Sequence, residues 1–318
     1  MSAGAQHGRI GWLLIRAAVT AGIFVFLLSR IDLDRCAEVI GRATPVWLVA
    51  AFVSCSSVHI NSTFKWRGIL TGMGTDGGWW SLLRIYTIGH FASAFLPGTV
   101  GGDVLRWRLA GPLVGSYLAA AGSILIQRFT GVTMLVMLAA AAVVVDPRLA
   151  TRPVVLLVGS GLAIVALAWV IALNRRLAIA VTYRTRRRRV GRPLRTLYRL
   201  QRVLRTFPAS SLVVALGWSF LFYAGVGLVV YFSCLAFEVR IGLVEAISVL
   251  VVVCLLTMLP ISLGGLGLKQ AGDVYMLGLA GVDPAQALVV SLLRQMIHYA
   301  YVLIGGLLFV SLPATERV

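Results

Sequence analysis

The charged residues of this chain that stand inside apolar sequence are the ones positioned to do chemistry. Two stretches concentrate them, "FLPGTVGGDVLRWRLA" (95–110) and "MLPISLGGLGLKQAGD" (258–273), and both fit L-P-x-x-x-G-G-x-x-L-[RK]. Pro97 and Pro260 remove a backbone donor and clash with the preceding turn, so each should stop a helix. Gly98, Gly101 and Gly102 in the first stretch, and Gly264, Gly265 and Gly267 in the second, permit backbone geometries closed to other residues. A helix restarting near Gly102 or Gly265 would present free N–H groups and a positive dipole end, which suits an anion. Arg106 and Lys269 follow about one turn into those helices, and a phosphate headgroup is the natural anion to meet them. Asp103 stands at the first break, either capping the helix or partnering the arginines. Arg128 in "LIQRFTG" and Arg294 in "SLLRQMIHYAYV" are two further cations in apolar surroundings. Ionisable groups inside a membrane are costly and default to functional candidates. The expected headgroup-binding set is therefore Asp103, Arg106, Arg128, Lys269 and Arg294.

Other chemistries find less support. The G-x4-G-K-[ST] spacing of a phosphate-binding loop is absent. His59, His90 and His298 lie in apolar runs without metal-ligand spacing, so they read as core histidines. Cys36, Cys55, Cys234 and Cys254 form neither a CxxC pair nor a disulfide pattern and read as small packing residues. No catalytic residue, cofactor or metal is assigned. An enzyme using the same cavity would have only Asp103 and Asp273 as acid or base.

The elements that must position these residues follow from composition. The chain is 59% hydrophobic and 13% charged, and a bilayer is crossed by about 20 apolar residues of helix. Candidate spans are Ile10–Leu28, Val46–Phe64, Gln127–Val145, Pro153–Leu173, Ser211–Phe237 and Ala287–Leu312. Arg16 interrupts the first run and no small-x-small cleavage site follows, so it reads as a retained span rather than a signal peptide. The net charge of +18 is concentrated between Asn174 and Phe207, which hold 12 arginines and no acidic residue. Between two spans, such a loop belongs in the cytoplasm against anionic lipid headgroups, not on nucleic acid.

With loop 174–207 and the basic "FKWRG" both inside, segment 79–111 cannot cross once. It must enter and return on one side, turning at Pro97. The same counting makes 243–279 a second such pair, dipping from the other side. The expectation is an all-α polytopic membrane protein of about six full spans and two opposed re-entrant helix pairs. It forms a single membrane domain, 1–318, with both termini cytoplasmic. Pro97 and Pro260 are 163 residues apart, and at that offset 46–145 falls on 209–308, within a second repeat of about 209–312. An odd number of crossings lies between the copies, so the second repeat is inverted. Inverted repeats with paired broken helices point to a binding site near the bilayer midplane.

On the two quoted motifs, from "STFKWRG" onward, the chain resembles the lysylphosphatidylglycerol synthase transmembrane-region family, also called flippase-like proteins. The resemblance implies a polytopic protein that moves lipids or lipid-linked sugars between the leaflets of a cell inner membrane. The cytoplasmic aminoacyl-transferase domain of some relatives is not in this sequence. The family often has an acidic residue after the basic one of the second motif, and Asp-Arg near the start of the span after the first motif. Here Gln270 and Gln127 stand there, which favours an anionic or neutral glycosylated headgroup over a cationic one. The leading expectation is a translocator of a phospholipid, glycolipid or polyprenyl-phosphate-linked lipid. The alternatives are a lipid-linked transferase and an accessory subunit working with envelope-lipid biosynthetic enzymes.

Overall fold

A computed structural model describes residues 33–95, 100–174, 202–258 and 266–312. Among these residues every regular element is a helix. In chain order they are α1 (Leu33–Gly41), α2 (Pro45–Gly72), α3 (Trp79–Phe95), α4 (Val100–Leu113), α5 (Tyr117–Val145) and α6 (Arg152–Leu173). They continue with α7 (Ala209–Ala236), α8 (Leu243–Thr257), α9 (Leu268–Leu279) and α10 (Pro284–Val310). The expected span Ile10–Leu28, residues Pro97, Gly98, Pro260, Gly264 and Gly265, and most of the basic loop lie outside the described residues.

Five helices, α2, α5, α6, α7 and α10, are long and apolar enough to cross a membrane. They correspond to the remaining five expected spans. Their ends carry local signals. Proline opens α2, α6 and α10 near the first helical position, where its missing N–H costs no hydrogen bond. Ser116 caps α5 by accepting from the Ala119 N–H, and Asp283 caps α10 by accepting from Ala285 and Gln286. At the other end of α2, Arg67 donates two hydrogen bonds to Asp76 in the following turn. Those bonds hold the exposed Asp76 carboxyl well below the ordinary carboxylate range.

The exposed surface is what a lipid-facing bundle requires. Leu156, Ile164, Leu167 and Val170 on α6, and Val49, Val53 and Phe64 on α2, are all exposed. Inside the spans, hydroxyls return to their own helix: Thr63 donates to the His59 carbonyl, Thr130 to Ile126 and Ser219 to Ala215. This satisfies them without water.

The other five helices are short; α1 has nine residues, and the remaining four flank the two motifs. α3 has 17 residues, α4 has 14, α8 has 15 and α9 has 12. At 1.5 Å per residue they reach roughly 18–26 Å, less than the ~30 Å hydrocarbon layer. α3 and α4 run antiparallel, because Arg106 stacks on Tyr86 while Gly102 meets Gly89 and Ser93. Their approach is backbone to backbone: a Cβ on Gly102 would sit 2.2 Å from the Gly89 carbonyl oxygen. The opposite face of α3 is pressed against α10, where a Cβ on Gly305 would lie 2.3 Å from the Thr87 oxygen. Small residues permit such contacts between apolar helices, where lipid supplies no hydrophobic drive to associate.

The packing partners of the first half recur in the second. α2 lies along α7, α3 contacts α4 and α10, and α8 contacts α9 and α5. The largest apolar core joins α5, α6, α7, α8, α9 and α10, and a second one joins α2, α3, α4 and α5.

A cationic cavity between the halves

A cavity of about 230 Å³ opens among α2, α3, α4, α5 and α7, with Met258 just beyond α8 also on its wall. Its volume is ample for several waters or a phosphate group. Asp103, Arg106 and Arg128, expected from sequence, all line it. Asp103 sits in the first turn of α4, where the helix dipole favours negative charge. Its two oxygens are divided between the arginines: Oδ1 accepts from Arg106 at 3.3 Å and Oδ2 from Arg128 Nε at 2.8 Å.

Arg106 is the centre of this arrangement. Its side chain is 7% exposed, and its guanidinium lies 4.2 Å from the ring centre of Trp66 and 4.8 Å from that of Tyr86. Cation–π attraction grows where the cation is desolvated. One Nη donates to Asp103 and the other to Gln127 Oε1 at 2.5 Å. Gln127 in turn donates through Nε2 to the Ser62 carbonyl, which fixes its amide orientation. Trp66 is itself anchored by its indole N–H on Ser123 Oγ at 2.9 Å. Arg106 is therefore held by two hydrogen-bond partners and two rings, while Arg128 is 46% exposed. A glutamine at 127 accepts Arg106's hydrogen bond without cancelling its charge.

Lys65 is a cavity residue that sequence reasoning missed, because "FKWRG" read as a basic patch at a membrane interface. Arg67 fits that reading, being exposed and paired with Asp76. Lys65 does not: it is 5% exposed, lines the cavity, and donates to the Gln127 main-chain carbonyl at 2.9 Å. The available signal was its position on the stripe Val58, Ser62, Lys65 and Ile69, all buried on one face of α2.

Lys269 and Arg294 do not line this cavity among the described residues. Lys269 follows Gly267, whose φ of 77° suits glycine. The Gly267 N–H is taken by Gln270 Oε1 at 2.8 Å, so the glutamine caps α9. The Lys269 ammonium donates to Gln295 Oε1 on α10 at 3.3 Å. Arg294 is held by Asp273 at 2.7 Å, and the carboxylate also accepts from Ser291. Asp273 is fully buried, so this ion pair ties α9 to α10. Of the motif glycines within the described residues, Gly102 is buried against Gly89 and Ser93, and Gly101 precedes it in the first turn of α4.

The three histidines, distant in sequence, converge. His59 stacks on Tyr301 with ring centres 4.0 Å apart, His90 lies 4.8 Å from His59, and His298 lies 6.0 Å from His90. His59 donates through Nδ1 to the Cys55 carbonyl, and the Tyr301 and Ser56 hydroxyls hydrogen-bond. Among the described residues no group of three or more histidine, cysteine or acidic side chains is placed to hold a metal.

Helices long and apolar enough to span, packed around a cavity whose lining includes charged side chains, define a multi-pass membrane protein with an all-helical fold. The sequence model for the lysylphosphatidylglycerol synthase transmembrane region matches residues 13–306. The chain belongs to that family. No curated protein matches the chain closely enough to count as a relative.

Proposed function

We propose that the protein is a lipid translocator of the cell inner membrane, carrying a phosphate-bearing headgroup between leaflets while the acyl or prenyl tails stay in the bilayer. The observation that carries this reading is Arg106, buried between two aromatic rings yet lining a cavity whose walls come from both halves of the chain. A buried guanidinium with fixed partners is a prepaid anion site, because little reorganisation is left when phosphate arrives. Arg128 supplies a half-exposed cation, and Asp103 holds the two arginines in register.

In this reading α3–α4 and α8–α9 are the two re-entrant pairs, one from each face, in an inverted repeat of 46–145 on 209–312. Their short lengths and recurring packing partners support it. Lys269, the counterpart of Arg106 at the repeat offset, offers a second station on the way across. Arg294, held by Asp273, keeps α9 and α10 together during the motion. Both termini and the arginine-rich loop 174–207 face the cytoplasm, where the loop meets anionic headgroups. Envelope-lipid biosynthetic enzymes would supply or consume the cargo.

The test is leaflet exchange of fluorescent phospholipids and a labelled prenyl phosphate in proteoliposomes. The wild type should accelerate exchange of at least one of them, and Arg106→Ala should return it to the protein-free rate. Identical rates with and without protein across all the lipids would sink the reading.

A further inference from the structure

We propose that the cavity selects a phosphomonoester, a phosphate bearing two negative charges, and that Lys65 is the cation that distinguishes it from a singly charged phosphodiester. The proposal rests on the headgroup-binding reading above and narrows it to one lipid class.

Charge is the first argument. The lining includes Lys65, Arg106 and Arg128 against a single carboxylate, Asp103. Asp103 is already shared, with one oxygen for each arginine. Lys65 has no acidic partner among the described residues; its hydrogen bond goes to a main-chain carbonyl. Burying a cation on so weak a partner is expensive unless an anion completes the site. A phosphodiester brings one negative charge and leaves one cation unmatched. A phosphomonoester brings about −1.5 to −2 near neutral pH and three acceptor oxygens, matching the surplus.

The second argument is an unsatisfied donor. Arg106 is 6% exposed, and its Nε, buried, has no hydrogen-bond partner. Each Nη spends one of its two N–H groups on a protein partner, so the guanidinium, which lines the cavity, keeps donors that no protein group uses, the enclosed Nε–H among them. The third is place. Lys65 lines both the main cavity and a smaller recess of about 150 Å³ between α2 and the start of α7, beside Ser210 and Ser211. A headgroup passing from that recess into the cavity meets Lys65 first.

The experiment compares two lipids that differ by one methyl group. Phosphatidic acid is a phosphomonoester, and phosphatidylmethanol is its phosphodiester. Binding of each to the full-length protein is measured by native mass spectrometry in neutral-lipid nanodiscs. Phosphatidic acid should bind roughly tenfold tighter, the scale of one charged hydrogen bond. Lys65→Met should remove that preference by weakening phosphatidic acid alone, and Lys65→Arg should retain it. Equal affinities of the wild type for the two lipids would overturn the proposal without needing any variant, and so would a preference that survives Lys65→Met. Glycerol 3-phosphate should fail to compete; effective competition would make the ligand a soluble phosphate ester and overturn the lipid assignment. Leaflet exchange is scored separately. Tighter phosphatidic acid binding without exchange would keep the phosphate assignment and remove the translocator, whereas equal exchange and equal binding of both lipids would do the reverse.

Discussion

At the scale of single residues, the two buried arginines of the motif helices' surroundings serve different ends. Arg106 is held by Asp103, Gln127 and two aromatic rings while lining a cavity. Arg294 is closed off by Asp273, which also accepts from the Ser291 hydroxyl. Their substitutions should therefore separate function from stability. Arg106→Lys keeps the charge but loses the fork that reaches Asp103 and Gln127 together. It should slow lipid exchange at least tenfold, on the order of one charge-assisted hydrogen bond, with a smaller change in thermal stability. Asp273→Ala strands Arg294 and should cost roughly 3–5 kcal/mol, read as a lower melting temperature in detergent. Replacing both, Asp273→Ala with Arg294→Met, should recover most of that loss, since an apolar pair leaves no charge behind.

At the scale of elements, α3 is a wedge with glycine contacts on two sides. Gly102 of α4 meets one side and Gly305 of α10 the other, each close enough that a single methyl would strike a carbonyl oxygen. Gly102→Ala should destabilise by about 1–3 kcal/mol through overpacking and displace Arg106, which is anchored on the same helix. Gly159→Ala in α6 is the contrast, because nothing lies within 4 Å of a Cβ there. It should leave exchange unchanged and raise stability by about 0.5–1 kcal/mol through helix propensity. Thermal unfolding of both variants checks the pair. A similar fall in both would mean that glycine content, not the close approach at Gly102, governs stability.

At the scale of the whole molecule, the cavity belongs to neither half alone. Lys65, Arg106 and Arg128 come from the first half, while Ser219, Phe222, Tyr223 and Met258 come from the second. Relative movement of the halves would open or close it. Met258 is 50% exposed and on the wall. In a variant whose native cysteines are replaced, Met258→Cys should react with a water-soluble maleimide, and an anionic phospholipid should slow that reaction. Labelling that is indifferent to the lipid would place the headgroup elsewhere.

The spanning helices were legible in the sequence because length and apolarity are local properties, and the bilayer imposes the same requirement on each. Asp103, Arg106 and Arg128 were legible for a related reason: a charge in an apolar run is expensive wherever it ends up, so it draws notice before any partner is known. Lys65 was not, since only the docking of α2 on α5 turns its ammonium onto the Gln127 carbonyl, 62 residues away. The meeting of His59, His90 and His298 was equally hidden, because it depends on how α2, α3 and α10 cross. Arg294 ranked with Arg128 in sequence as a further cation in an apolar run, and only the fold pairs it with the buried Asp273, away from the cavity. Sequence by itself determined which helices are long and apolar enough to span a membrane and which charged residues stand in apolar runs. Tertiary structure decided which charges are paired in packed protein and which line a cavity, because that division depends on distances of a few ångströms between helices remote along the chain.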